Sequence, residues 1–288
     1  MTFPTIKQGE HRKIQNHRLI ADDGTPIRYI ETPNKGGLMT PEYLIMHYTA
    51  GSSAEGSVSW MCNPAAKAAA HLVIGRDGSL TQLAPFNRVT WHAGQSQWEG
   101  RSGLNSFSIG IELDNAGKLE RVGNRWISAV SKRAYADDDV LVANHKHDRP
   151  GTAPIGWHEY SEVQLEVAAR VGLLLVEKYS LKDVLGHEDI APGRKADPGP
   201  AFPMASFRAR LLGRADDSVE HYVTKSALNV RQGPGTEFAA LPGSPLPAGT
   251  RVVVLEQQGV WWRVDVLDTV SGVMDIVGWC HSRYLSRA

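Results

Sequence analysis

The sequence predicts an α/β domain, a central mixed sheet flanked by helices, followed by a small all-β barrel. Three observations carry this. Two apolar runs, YLIMHYTA at 43–50 and FSIGIELDN at 107–115, end in polar tips, as buried strands do when they deliver side chains to a sheet edge. From Ser161, SEVQ followed by apolar residues at helical spacing reads as a capped amphipathic helix. From about residue 219, short alternating runs broken by Gly/Pro turns replace that texture. A chain of 288 residues accommodates two domains, and we place them at 1–215 and 219–288.

Composition narrows the partners. Lys+Arg and Asp+Glu are equal at 31 each, so net charge gives no ground for a nucleic-acid or anionic-membrane partner. No run approaches the roughly 18 apolar residues of a spanning helix, so no membrane insertion is expected. The N-terminus, MTFPTIKQGEHRKIQNH, has no apolar signal core. That points to a cytoplasmic or phage-encoded protein, or to one exported to the cell wall by another route. Cys62 and Cys280 fall in different predicted domains and read as two thiols, not a disulfide framework.

In chain order, RLIADDGTPIRYIE at 18–31 reads as a hairpin. GSSAEGSVSW after residue 50 reads as a Gly/Ser loop, with a helix following through KAAAHL. HLVIGRDGSLTQLAP is a hairpin turning at GRDG, and His71, which opens it, is expected to be packed rather than a ligand. Residues 85–106 form a long surface loop. Its Trp91, His92 and Trp98 either stack on a sugar or peptide or pin the loop to the core. Residues 116–157 read as an insertion, a hairpin over AGKLERVGNRWISAV and then an extended excursion in which His145, Lys146 and His147 suit a solvated face. Ser161 and Gln164 form a capping box, and Val163, Val167, Val171, Leu174 and Leu175 the apolar face of the helix that follows. LKDVLGH is a strand ending on His187, PMASFRARLLG a last helix and RADDSVE a polar linker.

The chemistry concentrates in GHEDIAPGRKADPGP, residues 186–200, a loop stiffened by prolines and broken by glycines. It holds His187, Lys195 and Asp197. A neutral imidazole and a carboxylate suit a divalent metal of borderline softness, zinc above all. A charged Lys195 cannot be a ligand, but it can point at whatever the metal polarises. The first apolar run delivers His47 and the second delivers Glu112. Two His and one Asp leave a tetrahedral zinc one open position for water, and a nearby Glu can take that water's proton.

His47, the SIGIEL segment with Glu112, and GHEDIAPGRKADPGP closely resemble the zinc-dependent N-acetylmuramoyl-L-alanine amidases of the AmpD and phage-lysozyme type, whose fold animal peptidoglycan-recognition proteins share. The resemblance covers roughly residues 40–212. It implies one zinc per chain on His47, His187 and Asp197, with Glu112 and Lys195 as catalytic residues. It also implies hydrolysis of the amide between the lactyl group of N-acetylmuramic acid and L-alanine, in peptidoglycan or muropeptides. The WHAG and GR segments match the family and place Trp91 in a binding groove, with His92 and Tyr48 as further substrate contacts. In relatives the basic residue at the Lys67 position meets a stem-peptide carboxylate. From residue 219, LNVRQGPG and GWCHSRYL resemble the bacterial SH3 domain, a frequent companion of wall hydrolases.

A non-catalytic peptidoglycan-binding protein is the alternative reading, since several recognition proteins keep the groove and lose catalysis. Those usually lack a zinc ligand, whereas all three positions here hold competent residues. A general zinc protease is disfavoured by the absence of an HExxH motif.

Overall fold

The structure is a computed structural model, and it describes residues 12–21, 23–149, 151–212, 221–273 and 276–287. The expected linker at 214–220 lies outside the described residues. The chain forms two compact units, residues 1–142 with 155–204 and residues 143–154 with 205–288. This division cuts the chain at Met204, where the sequence placed a boundary near residue 215, and groups part of the insertion with the C-terminal residues.

Ten strands build two sheets. In chain order they are β1 (Tyr43–Tyr48), β2 (Leu72–Ile74), β3 (Leu80–Gln82), β4 (Ser108–Leu113), β5 (Lys118–Val122), β6 (Arg125–Ser128), β7 (Ala134–Tyr135), β8 (Val140–Ala143), β9 (Ile155–His158) and β10 (Asp183–Gly186). The central sheet has the order β10-β1-β4-β2-β3. Its first four strands are parallel, and β3 returns antiparallel to β2. Parallel strands are covered on both faces and so read as unbroken apolar runs; Leu44, Ile45 and Met46 of β1 are fully buried. The second sheet, β7-β6-β5-β9-β8, is the insertion. The excursion expected after its hairpin in fact adds three strands.

Among the described residues, the helices are α1 (Ala54–Met61), α2 (Glu162–Tyr179) and α3 (His187–Ile190) in the first unit, and α4 (Met204–Leu211), nearly all of which falls in the second. Helix α1 occupies the stretch read as a loop. Ser53 starts it by accepting the Gly56 N–H, and Val58 and Met61 are buried. The helix expected through KAAAHL does not form, because Lys67 takes a left-handed backbone (φ 48°) after a single 3-10 turn. Helix α2 begins as expected, with Ser161 accepting the Gln164 N–H. Gln164 does not reach back to the cap; its amide donates to Ile74 O and Asp114 O and ties the helix start to the sheet. The buried face is Val167, Val171 and Leu175 with the small residues Ala168, Ala169 and Gly172, while Val163 is exposed.

One hairpin pairs Arg12–Gln15 with Arg18–Ala21, and the expected one follows in short form, with Ile20 bridging Pro26 antiparallel and the Ala21 N–H donating to Thr25 O. Asn16 and His17, both at positive φ (48° and 61°), make the two-residue turn that matches strand twist. His145, expected on a solvated face, is buried.

In the second unit, β11 (His221–Thr224), β12 (Arg251–Gln258), β13 (Trp261–Val266), β14 (Val277–His281) and β15 (Leu285–Arg287) form an antiparallel sheet of order β14-β13-β12-β11-β15. Leu228, Val230, Leu246, Val252, Val264 and Cys280 close its core. This is the all-β SH3-like fold the sequence predicts.

Candidate metal centre

Strand register builds the site. In the β1–β4 pairing Glu112 stands opposite His47, and Gly186, which ends β10, pairs with Met46. His47, Glu112 and His187 therefore gather at the carboxyl ends of three adjacent parallel strands, where open α/β sheets bind their ligands. Asp197 arrives from the loop after α3, held by the Glu188 N–H donating to Asp197 O at 2.8 Å.

His47 Nδ1, His187 Nδ1 and Asp197 Oδ2 form a buried triangle with sides of 3.0, 2.8 and 2.9 Å. His187 Nε2 faces Ala93 O at 3.0 Å. Arg194 Nη2, 3.4 Å from the same nitrogen, has both hydrogens committed to Ala93 O and Gln95 O. The His187 ring therefore donates from Nε2, and in its neutral form Nδ1 is a bare electron pair facing a carboxylate. Burial, followed by the charge of His187, pushes His47 down to about 4 and so disfavours an imidazolium there. Burial alone would raise the Asp197 carboxyl, but the adjoining His187 and His47 rings hold it below its ordinary range. Two imidazole nitrogens and a carboxylate converging in this way suit a divalent cation, and zinc–nitrogen distances of about 2.0 Å need a triangle only a few tenths of an ångström wider. Among the described residues these three are the group of side chains that could hold a metal.

Glu112 presents Oε2 buried and without a hydrogen-bond partner among the described residues. Burial, then the charge of Asp197, raises its carboxyl to about 8, against the opposing charge of Lys195. Both Glu112 and the exposed Lys195 line an open groove of about 840 Å³ over the triad.

The other expected contacts divide. Tyr48 and Trp91 line the groove, Trp91 with 39% of its surface exposed. The Tyr48 ring lies so close to Gly117 that an added Cβ there would stand 2.4 Å from it. His92 also lines the groove, but it is buried and its ring is engaged by His47 and Ser108. Burial and the neighbouring His47 and His71 hold it well below its ordinary pKa. Lys67 is exposed, and the groove lining passes it by for Ala68 and Ala69. Trp98 packs on the core around Ile45 and pins the loop. His71 is buried and fully bonded, donating to Arg88 O at 2.7 Å and accepting from Gly110 N–H and Thr90 Oγ1 at 3.0 Å each.

Sequence reasoning missed three parts of the groove. Trp60 on α1, 59% exposed, lines it, as do Arg194 and the Val130–Ser131 tip of the insertion. The Ser53 cap and the apolar spacing of Val58 and Met61 were the signals that could have placed Trp60 on the open face of a helix.

A family model described as N-acetylmuramoyl-L-alanine amidase matches residues 37–200, and a bacterial SH3 domain model matches residues 226–286. Escherichia coli AmpD, a 1,6-anhydro-N-acetylmuramyl-L-alanine amidase, is 35% identical over 144 residues, which are 49% of this chain and 57% of AmpD. AmiD of the same species, an N-acetylmuramoyl-L-alanine amidase, is 30% identical over 141 residues, 48% of this chain and 40% of AmiD. The crystal structure of a selenomethionine AmpD derivative is 25% identical and covers 69% of this chain and 98% of that one, with a TM-score of 0.46. The chain thus spans little more than half the length of the AmpD sequence it matches. With residues 37–200 of its 288 inside the family model, the chain belongs to the N-acetylmuramoyl-L-alanine amidase family.

Proposed function

We propose that the chain is a zinc-dependent amidase that hydrolyses the bond between the lactyl carbonyl of N-acetylmuramic acid and the amine of L-alanine, in peptidoglycan or its fragments. The observation that carries this reading is the triangle of His47, His187 and Asp197 beside Glu112, at the floor of an open groove. Zinc bound by those three residues supplies a Lewis acid that polarises a carbonyl and acidifies water. Glu112 Oε2, free of partners, accepts the proton of the attacking water and returns it to the departing alanine nitrogen. Lys195 brings its positive charge to the oxygen on which negative charge develops. Trp60 and Trp91 offer flat apolar faces to a sugar, and Lys118 and Arg194 offer positive charge to a stem peptide that carries carboxylates. The names of the relatives include both the 1,6-anhydro and the unmodified muramyl substrates.

Metal analysis of the purified protein together with product analysis on a purified muropeptide tests this. The expected result is one zinc per chain and release of the intact stem peptide from the muramyl sugar. Binding of the muropeptide without cleavage by the zinc-loaded protein would instead identify a recognition protein.

A further inference from the structure

We infer that His92 is a positioning residue of the metal site: it fixes the proton of His47 on Nε2 and so leaves His47 Nδ1 bare, turned towards His187 and Asp197. The inference rests on the zinc-site reading above and extends it to a residue outside the ligand set.

Ser108 decides the first step. Its carbonyl lies 3.2 Å from His92 Nε2 and its hydroxyl 3.4 Å, and that hydroxyl already donates to Leu104 O at 2.6 Å. Both Ser108 oxygens are therefore acceptors, so the proton of a neutral His92 sits on Nε2 and its Nδ1 is bare. His92 Nδ1 faces His47 Nε2 at 3.0 Å, and a bare nitrogen there requires the proton on His47 Nε2. The neutral His47 then has no proton on Nδ1. A one-way relay, His47 to His92 to Ser108, orients the ligand as hydrogen bonds to the far nitrogen of metal-binding histidines commonly do.

Two further features hold the relay in place. Asn105 Oδ1 accepts the backbone N–H groups of both His92 and Ala93, at 3.0 and 2.7 Å. Ala93 O is the acceptor for His187 Nε2, so one side chain fixes the two consecutive residues that set the two histidine ligands. Gly110 on β4 leaves the slot for the His92 ring, since a Cβ there would stand 2.5 Å from His92 Cγ and 2.6 Å from Nδ1. His71 cannot take over, because both its ring nitrogens are already bonded elsewhere.

The test reads metal affinity and proton position, not turnover. His92→Phe keeps a flat ring and removes the acceptor; zinc affinity, measured by competition with a chelator, should fall about 10- to 100-fold. His92→Asn sets an amide oxygen where Nδ1 stood and should recover most of that loss. In the zinc-loaded wild-type protein, nitrogen-15 NMR should find a proton on His47 Nε2, coupled across the hydrogen bond to His92 Nδ1. A proton on His92 Nδ1, or a His92→Phe variant that binds zinc as tightly as wild type, overturns the assignment. Should His92→Phe fail to fold, the wild-type spectrum still decides. A protein that shows this relay yet cleaves no muropeptide would overturn the amidase reading and leave the positioning role standing.

Discussion

His47 and Glu112 stand directly opposite one another on neighbouring parallel strands, β1 and β4. Residues paired in register point to the same face, so the proposed metal ligand and a carboxylate whose Oε2 has no hydrogen-bond partner among the described residues emerge side by side at one sheet edge. The two roles are thereby separable, since His47 turns to His187 and Asp197 while Glu112 Oε2 meets none of them.

That separation gives the first prediction. His47→Ala and His187→Ala should each lose zinc and activity together, because two remaining ligands rarely hold the metal against a chelator. Metal content after dialysis and hydrolysis of a soluble muropeptide are the measurements. A fully active, zinc-free variant would sink the ligand assignment.

Glu112→Ala should behave differently. It should keep zinc and muropeptide affinity and lose about 100- to 10,000-fold in kcat, the usual scale for a positioned acid–base. Zinc loss in this variant would make Glu112 a ligand and require another proton acceptor.

Stability against pH supplies a third prediction, in the metal-free protein. Glu112 keeps its proton in the folded chain up to about 8, while the unfolded chain releases it near 4.5. The folded state therefore binds more protons across that window, and its contribution to stability declines as pH rises from 4.5 to about 8. Glu112→Gln removes this decline, so the variant should gain on wild type with rising pH in urea titrations. His47 acts in the opposite direction. Its folded value of about 4, below the ordinary 6.5, costs stability as pH falls through that interval. Parallel pH profiles for wild type and Glu112→Gln would contradict the burial account.

Much of this was legible in the sequence. Strands β1, β4 and β10 are buried runs with a polar side chain at or just past the end, and His47, Glu112 and His187 follow from that pattern, while Asp197 was legible only from its loop motif. Other parts depend on contacts that no local pattern carries. Trp60 sits in a helix whose Gly/Ser-rich start reads as loop, and one Ser53 hydroxyl reverses that reading. Lys67, at a left-handed backbone position, is not among the residues that line the groove. The place of His92 depends on a hydrogen bond across 45 residues of chain, and a WHAG segment looks the same whether its imidazole meets a ligand or a neighbour.

Lys195→Ala should lower kcat by about 100- to 1,000-fold with zinc retained, the typical cost of removing one donor to a developing oxyanion. Single-turnover hydrolysis and zinc content measure it. A variant with weakened muropeptide binding and unchanged kcat would place Lys195 in substrate binding instead.

The last prediction concerns the SH3-like residues, 219–288. Trp261 lies 5.5 Å from His281, which lies 5.8 Å from Tyr284, and Tyr284 is 44% exposed, so this unit carries a short aromatic row on its surface. Trp262 instead packs on Tyr222 against the core. An aromatic row suits contact with cell-wall sugar or peptide, and a second contact raises the local concentration of scissile bonds. A chain ending at Ala215 keeps α4 and residues 143–154. It should fold, bind zinc and cleave soluble muropeptides at nearly the full-length rate. On intact sacculi its activity should drop, and residues 219–288 alone should sediment with sacculi, more weakly after Trp261→Ala. Equal losses on soluble and insoluble substrates would mean that these residues belong to the active-site architecture, and tethering would be wrong.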